Sequence, residues 1–419
     1  MVLMFLSTMS FSQERHCGTM QYMERLKSQD PDVEKRMQLN EELIANYSNQ
    51  MQNQRTASTV VTIPVVFHIL YTSTSPFLNI STARILDQLA TLNADYSRHN
   101  TDTANTPAPF KGVAANTNIQ FCLATRDPYG NFTTGIIRKQ VTASGFDPIT
   151  NDNIKFSSLG GDDAWSTKNY LNIWVANFNG ASSSLLGISQ MPGQDTLTDG
   201  CCVLYSTVGG NTYNGTLPGL NLGRTLTHEV GHWFALRHIW GDDGGTCSGS
   251  DAVNDTPNQG GENYNCPTYP VNDNCNATAA GVMFMNYMDY VDDGCMNMFT
   301  TGQATRMNSA INLLRTSIKT SLGCSAPVGI QDMPLASQVS VYPNPSAGLI
   351  TLAGTLVNPG HVEIRIVSML GETVFLKALK NASGLEESID LSGAAPGVYT
   401  ITLTGKEGVI NSKFVLARN

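Results

Sequence analysis

Residues 226–244 read LTHEVGHWFALRHIWGDDG, and within them His228, Glu229, His232 and His238 form the pattern H-E-x-x-H-x-x-x-x-x-H. An α-helix advances 3.6 residues per turn, so His228 and His232 project from one face, one turn apart. Two imidazoles so placed can share one small cation, and nitrogen ligands beside a carboxylate point to Zn²⁺. Glu229 follows the first of them, where it can hold and deprotonate a metal-bound water. His238 lies too far along for the same face of a straight helix, so the chain must turn back after His232 to deliver a third nitrogen. Three protein ligands and one open position make a catalytic zinc site rather than a closed structural one.

The pattern resembles the extended zinc signature of the metzincin metallopeptidases, and stretches described below narrow the resemblance to the pappalysin family. One position departs from the signature: the helix-breaking Gly is replaced by Ala235. Ala in a left-handed turn costs roughly 1 kcal/mol relative to Gly, which a folded domain tolerates. The resemblance implies an α+β fold of metzincin type. Its catalytic domain has a twisted mixed sheet, an active-site helix and a disulfide-rich C-terminal subdomain. The implied activity is that of a zinc-dependent metalloendopeptidase acting on proteins and peptides. The alternative, a binding protein or surface adhesin with little turnover on the same scaffold, has Ala235 as its one hint in the sequence.

Composition sets the compartment. The 419 residues suffice for two or three domains. Only 14% of them are charged, against a usual quarter, which suits a secreted bacterial protein. A net charge of −9 and no basic patch argue against nucleic acid as a partner. No run is long and apolar enough for a transmembrane helix. The opening MVLMFLSTMSFSQ is short and apolar and lacks a basic leader, so residues 1–13 are expected to be a truncated signal peptide.

Nine cysteines are an odd number for an exported chain. Residues 14–55 are polar and helix-prone, and near their start stands Arg15-His16-Cys17-Gly18-Thr19. A thiolate is a strong zinc ligand, so Cys17 is expected to fill the open zinc position of a latent zymogen, a cysteine switch that also accounts for the parity. This segment resembles the pro-segment of microbial pappalysins. The adjacent Cys201 and Cys202 would be strained if bonded to each other, so partners elsewhere, such as Cys122 or Cys324, are expected.

The catalytic domain is expected over 56–324. A β-branched strand opens it at 59–70, where His68 reads as a packed strand residue. A helix over 81–95, capped by Ser81 or Thr82, carries apolar positions 85, 86, 89 and 92 on one stripe. Strands follow at 117–125, 135–142 and 170–178. The L-N-I-W-V strand and the segment beginning Leu185-Leu186-Gly187 are familiar from pappalysin-like domains, and 185–191 is the expected edge that pairs with extended substrate. A helix over 300–322 closes the domain.

Beyond His238 the chain turns Gly- and Asp-rich. Asp251, Asp255 and Thr256 either cap turns or bind Ca²⁺, which relatives hold near here. Four cysteines at 247, 266, 275 and 295 allow three connectivities; the resemblance implies Cys247 with Cys275 and Cys266 with Cys295. Met285-Asn286-Tyr287-Met288-Asp289-Tyr290 looks like the Met-turn, with Met288 as the floor under the zinc. Tyr290 matches a tyrosine that donates to the oxyanion in some metzincins. Asp292 and Asp293 fall where the family forms its primed-side pocket, which implies a preference for Arg or Lys just after the scissile bond. That preference in turn places an autolytic maturation cut at Gln54–Arg55.

After a linker over 325–337, short strands with Gly, Pro and Asn punctuation suggest a β-sandwich over 338–419. Tyr342-Pro343-Asn344-Pro345, Gly397-Val398-Tyr399 and Lys413-Phe414-Val415 resemble the C-terminal sorting domain of type IX secretion cargo. The resemblance implies the type IX machinery as a partner and export from a Bacteroidetes-type cell to its surface or surroundings. Tyr342, Phe375, Tyr399 and Phe414 are expected in its core.

Overall fold

A computed structural model describes residues 13–52, 59–276, 278–327, 336–356, 360–369, 372–382, 384–405 and 408–417. The expected signal peptide and the Gln54–Arg55 bond lie almost wholly or wholly outside them. The chain divides into two compact units, 1–326 and 327–419.

The first unit begins with two helices, α1 (Thr19–Gln29) and α2 (Asp32–Gln52), and continues into β1 (Val61–Tyr71). Eight consecutive residues of β1 are buried, as expected for a strand covered on both faces of a parallel sheet. Helix α3 (Thr82–Tyr96) is capped by Ser81, whose side chain accepts from the Arg84 amide. Ile85 and Leu92 of its stripe are buried, whereas Leu86 turns to solvent. The short α4 (Ala108–Lys111) leads to β2 (Ile119–Leu123), β3 (Ile136–Gln140), β4 (Leu171–Ala176), β5 (Gly187–Ser189) and β6 (Cys201–Leu204). The strand order is β2-β1-β4-β6-β5, with β3 beside β1. All pairings are parallel except β5 with β6, which is antiparallel and puts β5 at the edge. His68 is fully buried, stacked on Trp174 and bonded to Asp162 and Asn172. Helix α5 (Arg224–Trp233) lies under the sheet with every residue buried, and α6 (Thr301–Leu314) follows. α6 starts with a Thr300/Gln303 capping box and ends earlier than the sequence suggests, giving way to a 3₁₀ turn over Thr316–Thr320.

Three disulfides brace this unit: Cys122–Cys324, Cys247–Cys275 and Cys266–Cys295. The pairing expected for Cys201 and Cys202 is therefore corrected. Their supposed partners bond to each other, tying β2 to the end of the unit, and both residues of β6 are buried free thiols. Cys17 is thus one of three free cysteines, and parity does not single it out.

The second unit carries β7 (Ala336–Tyr342), β8 (Leu349–Leu356), β9 (Gly360–Ser368), β10 (Thr373–Ala382), β11 (Leu385–Asp390), β12 (Gly397–Gly405) and β13 (Gly408–Leu416). They form two antiparallel sheets, β10-β9-β12-β13 and β11-β8-β7, around a core that holds Ile364, Ile366, Tyr399, Ile401 and Phe414. Tyr342 is half exposed rather than in that core.

Candidate active site

Helix α5 supplies two of the three histidines and ends at Trp233. Ala235 then takes φ 71°, the left-handed turn that reverses the chain and swings His238 back. Each imidazole has its Nδ1 engaged: His228 to the Tyr287 carbonyl at 2.8 Å, His232 to the Leu236 carbonyl at 2.8 Å, and His238 to Asp242 at 2.7 Å. A ring whose Nδ1 carries the proton presents a bare lone pair at Nε2. The Nε2 atoms of His228 and His238 lie 3.1 and 3.2 Å from that of His232. Burial and the neighbouring imidazoles push His232 down to about 3 and His228 well below its ordinary value. Three imidazole nitrogens converging in a buried site fit one small cation, with outer partners that fix each ring.

The fourth atom of the cluster is Cys17 Sγ, all four ligand atoms lying within 4.8 Å of one another. Cys17 pairs in parallel with Gly187 of the edge strand β5, its neighbours exchanging Leu186 N–H with the His16 carbonyl and Gly18 N–H with the Gly187 carbonyl, each at 2.9 Å. Glu229 is buried, which pushes its carboxyl up to about 8. It faces Cys17 Sγ at 3.5 Å and accepts from the Thr19 hydroxyl at 3.2 Å. The Tyr290 hydroxyl lies 3.3 Å from His238 Nε2 and accepts from the Cys17 amide at 3.2 Å. Met288 is fully buried below α5, and its Sδ would sit 2.5 Å from any Cβ at Gly231. Gly231 is thus fixed by the floor residue, a requirement that the spacing of the motif does not express.

The two acids at the pocket part company. Asp293 is fully buried and bonds the Arg15 guanidinium, whose other nitrogens reach the Val291 carbonyl and the Thr225 hydroxyl. Its second oxygen accepts from the amides of Leu222 and Arg224 at the start of α5. Asp292 is only half-buried. No pattern in the sequence gives Arg15, Thr19 or Asp242 a role at the site. Only folding brings Arg15 to Asp293, 278 residues away in the chain.

Asp251, Asp255 and Thr256 are engaged in turn and helix-start hydrogen bonds. Asp251 accepts from the Val253 amide and the Thr256 hydroxyl, and Asp255 accepts from the Thr300 hydroxyl and the Gly302 amide at the start of α6. Among the described residues, the one converging group of three or more His, Cys, Asp or Glu ligands is the Cys17 and three-histidine cluster.

Three converging imidazoles, an adjacent glutamate and a methionine floor on this sheet define the centre of a zincin-type metallopeptidase. Residues 156–312 match the sequence profile of the Peptidase_M43 family, described as pregnancy-associated plasma protein-A. An extracellular metalloprotease of Neurospora crassa is 32% identical over 274 residues, covering 62% of this chain and 79% of that one. Among solved structures, a mirolysin complex is 46% identical with a TM-score of 0.61, covering 65% of this chain and all of that one. Promirolysin of Tannerella forsythia is 44% identical with a TM-score of 0.64, covering 74% of this chain and 98% of that one. The chain belongs to the pappalysin, or M43, family of metallopeptidases and is a metalloendopeptidase; the family implies zinc. Residues 340–417 match a secretion system C-terminal sorting domain, which marks the chain as exported.

Proposed function

We propose that the protein is a secreted zinc endopeptidase, made as a zymogen, that cuts peptide bonds just before Arg or Lys. The observation that carries this reading is the meeting of three histidine Nε2 atoms, the Glu229 carboxyl and the Cys17 thiol of an N-terminal segment. His228, His232 and His238 would hold a zinc ion, which would supply Lewis acidity toward the scissile carbonyl and water. Glu229 accepts a proton at its carboxylate oxygen from the attacking water and passes it to the departing amide nitrogen. The Tyr290 phenol donates to the oxygen of the tetrahedral carbon as its negative charge grows. Strand β5 holds the substrate main chain through the groups that now bond residues 16–18.

Latency follows from the same contacts. Cys17 Sγ stands beside the three histidine nitrogens, where it would ligate the zinc; Thr19 holds Glu229, and the Tyr290 hydroxyl is spent on Cys17. The similarity to promirolysin supports a zymogen. Arg15 supports the basic preference, because a guanidinium already fills the pocket floored by Asp293. Removal of the chain through Gln54 would free all of these groups, and a cut at Gln54–Arg55 meets the same specificity. The sorting domain supports export through the type IX machinery of a Bacteroidetes-type cell.

Casein hydrolysis by the matured protein tests this. Activity should vanish with a zinc chelator, return with zinc, and fall roughly 10²–10⁴-fold in Glu229→Ala. A matured wild type as inert as the mutant would sink the enzyme reading in favour of a binding protein.

A further inference from the structure

Five residues after Cys17, Tyr22 of α1 is sealed in a polar receptor that the catalytic centre does not use. Its hydroxyl meets Lys155 Nζ, Asp152 Oδ1 and Gln190 Oε1, each at 3.0 Å. The Lys155 ammonium also lies 4.5 Å from the ring centroid. Lys155 and Gln190 are 2% and 1% exposed.

Arg25 of α1 holds Asp152 Oδ2 at 2.7 Å, but Lys155 and Gln190 are braced from outside α1. Lys155 donates to the Thr198 carbonyl at 2.7 Å and pairs with Asp152 at 3.2 Å. Gln190 accepts from the Thr198 hydroxyl at 2.7 Å and donates to the Asp195 carbonyl at 2.6 Å. Ile154, Trp174 and Met191 belong to the same apolar cluster as the Tyr22 ring. Departure of the pro-segment therefore leaves a slot in which the Lys155 ammonium and the Gln190 carbonyl oxygen have each lost the phenol, and such groups favour a replacement.

Its place along the cleft follows from chain direction. Arg15 enters the Asp293 pocket from a segment parallel to β5, two residues ahead of Cys17. A substrate whose basic residue follows the scissile bond reaches that pocket only by running the opposite way. Residues ahead of the bond then extend past Ser189 to Gln190, toward the receptor. With the residue before the bond opposite Gly187, the third and fourth residues before it fall opposite Ser189 and Gln190.

We propose that in the mature enzyme the pocket of Lys155, Asp152 and Gln190 is a substrate subsite for a tyrosine side chain, three or four residues before the scissile bond. The proposal rests on the basic-directed endopeptidase reading above. Peptides cut before one arginine, differing only by Tyr, Phe, Leu or Ala at those two positions, test it with matured wild-type enzyme and with Lys155→Met. The expected result is a kcat/KM about tenfold higher for Tyr than for Phe at one position, because Phe leaves the ammonium and the Gln190 carbonyl oxygen each one hydrogen bond short. In Lys155→Met that ratio should collapse while dependence on arginine persists. Equal rates for Tyr and Phe at both positions in the wild type overturn the subsite, as does a ratio unchanged in Lys155→Met. Should Lys155→Met not fold, the wild-type series decides alone. Absence of any cut before arginine overturns the specificity reading, and the subsite with it.

Discussion

Asp293 ties three parts of the molecule together: it caps the start of α5, it floors the pocket, and it holds Arg15. Its neighbour Asp292 does none of these as directly, although the sequence offers the two acids as equals. Asp293→Asn should therefore abolish the preference for Arg over uncharged residues, whereas Asp292→Asn should only weaken it; kcat/KM on paired peptides reads the difference. Equal effects would contradict the assignment. Ala235 can be weighed similarly. Its left-handed φ costs roughly 1 kcal/mol, but its methyl is buried beside Ile44 and Ala310, and burying one methyl returns about 0.8 kcal/mol. Ala235→Gly should therefore leave stability within about 1 kcal/mol of wild type and leave hydrolysis intact. A large loss of either would show that the methyl does more than fill space.

At the scale of elements, α2 is a clamp distinct from the cysteine switch. Glu41 receives both arms of Arg306, at 2.7 and 2.6 Å, and Arg237 at 2.8 Å, while Arg306 also donates to the Ala235 carbonyl. Burial pushes the Glu41 carboxyl up, but the two guanidinium groups outweigh it and hold it below the ordinary carboxylate range. A carboxyl lowered on docking favours the docked state above its free pKa and loses that contribution as pH falls through the docked value. Retention of a nicked pro-segment by the mature enzyme, followed by gel filtration, should weaken as pH drops below about 4. Glu41→Gln should bind more weakly at pH 7 and show a flatter pH response.

What was legible in the chain divides along physical lines. The histidine spacing and the β-branched strands are local patterns, and periodicity expresses them, whereas the edge at β5 came from the resemblance. Arg15 on Asp293, Asp242 on His238 and the packing of Gly231 on Met288 are contacts across the fold that no local period encodes. The cysteines show the same limit. The loop pairings came from resemblance, while Cys122 with Cys324, separated by 202 residues, became evident only once β2 met the end of the unit. Replacing Cys247 and Cys275 by Ser opens a loop of separation 28, and chemical unfolding should register a loss of roughly 3 kcal/mol.

At the scale of the whole molecule, chemistry and address belong to different compact units. The site, its thiol and both pro-segment helices lie within 1–326, and the sorting strands lie within 327–419. A chain ended at Ala326 should therefore mature and cleave peptides at the full-length rate while failing to be exported. N-terminal sequencing of active protein should find a start at Arg55, and a start far upstream of Asn49 would contradict autolysis by this specificity. The central claim is that the three-histidine centre is a basic-directed endopeptidase, and profiling the matured protein on a complex peptide library tests it most directly. The account expects internal cuts with Arg or Lys immediately after the broken bond. Cuts confined to chain ends, cuts without basic preference, or no cuts at all would contradict it.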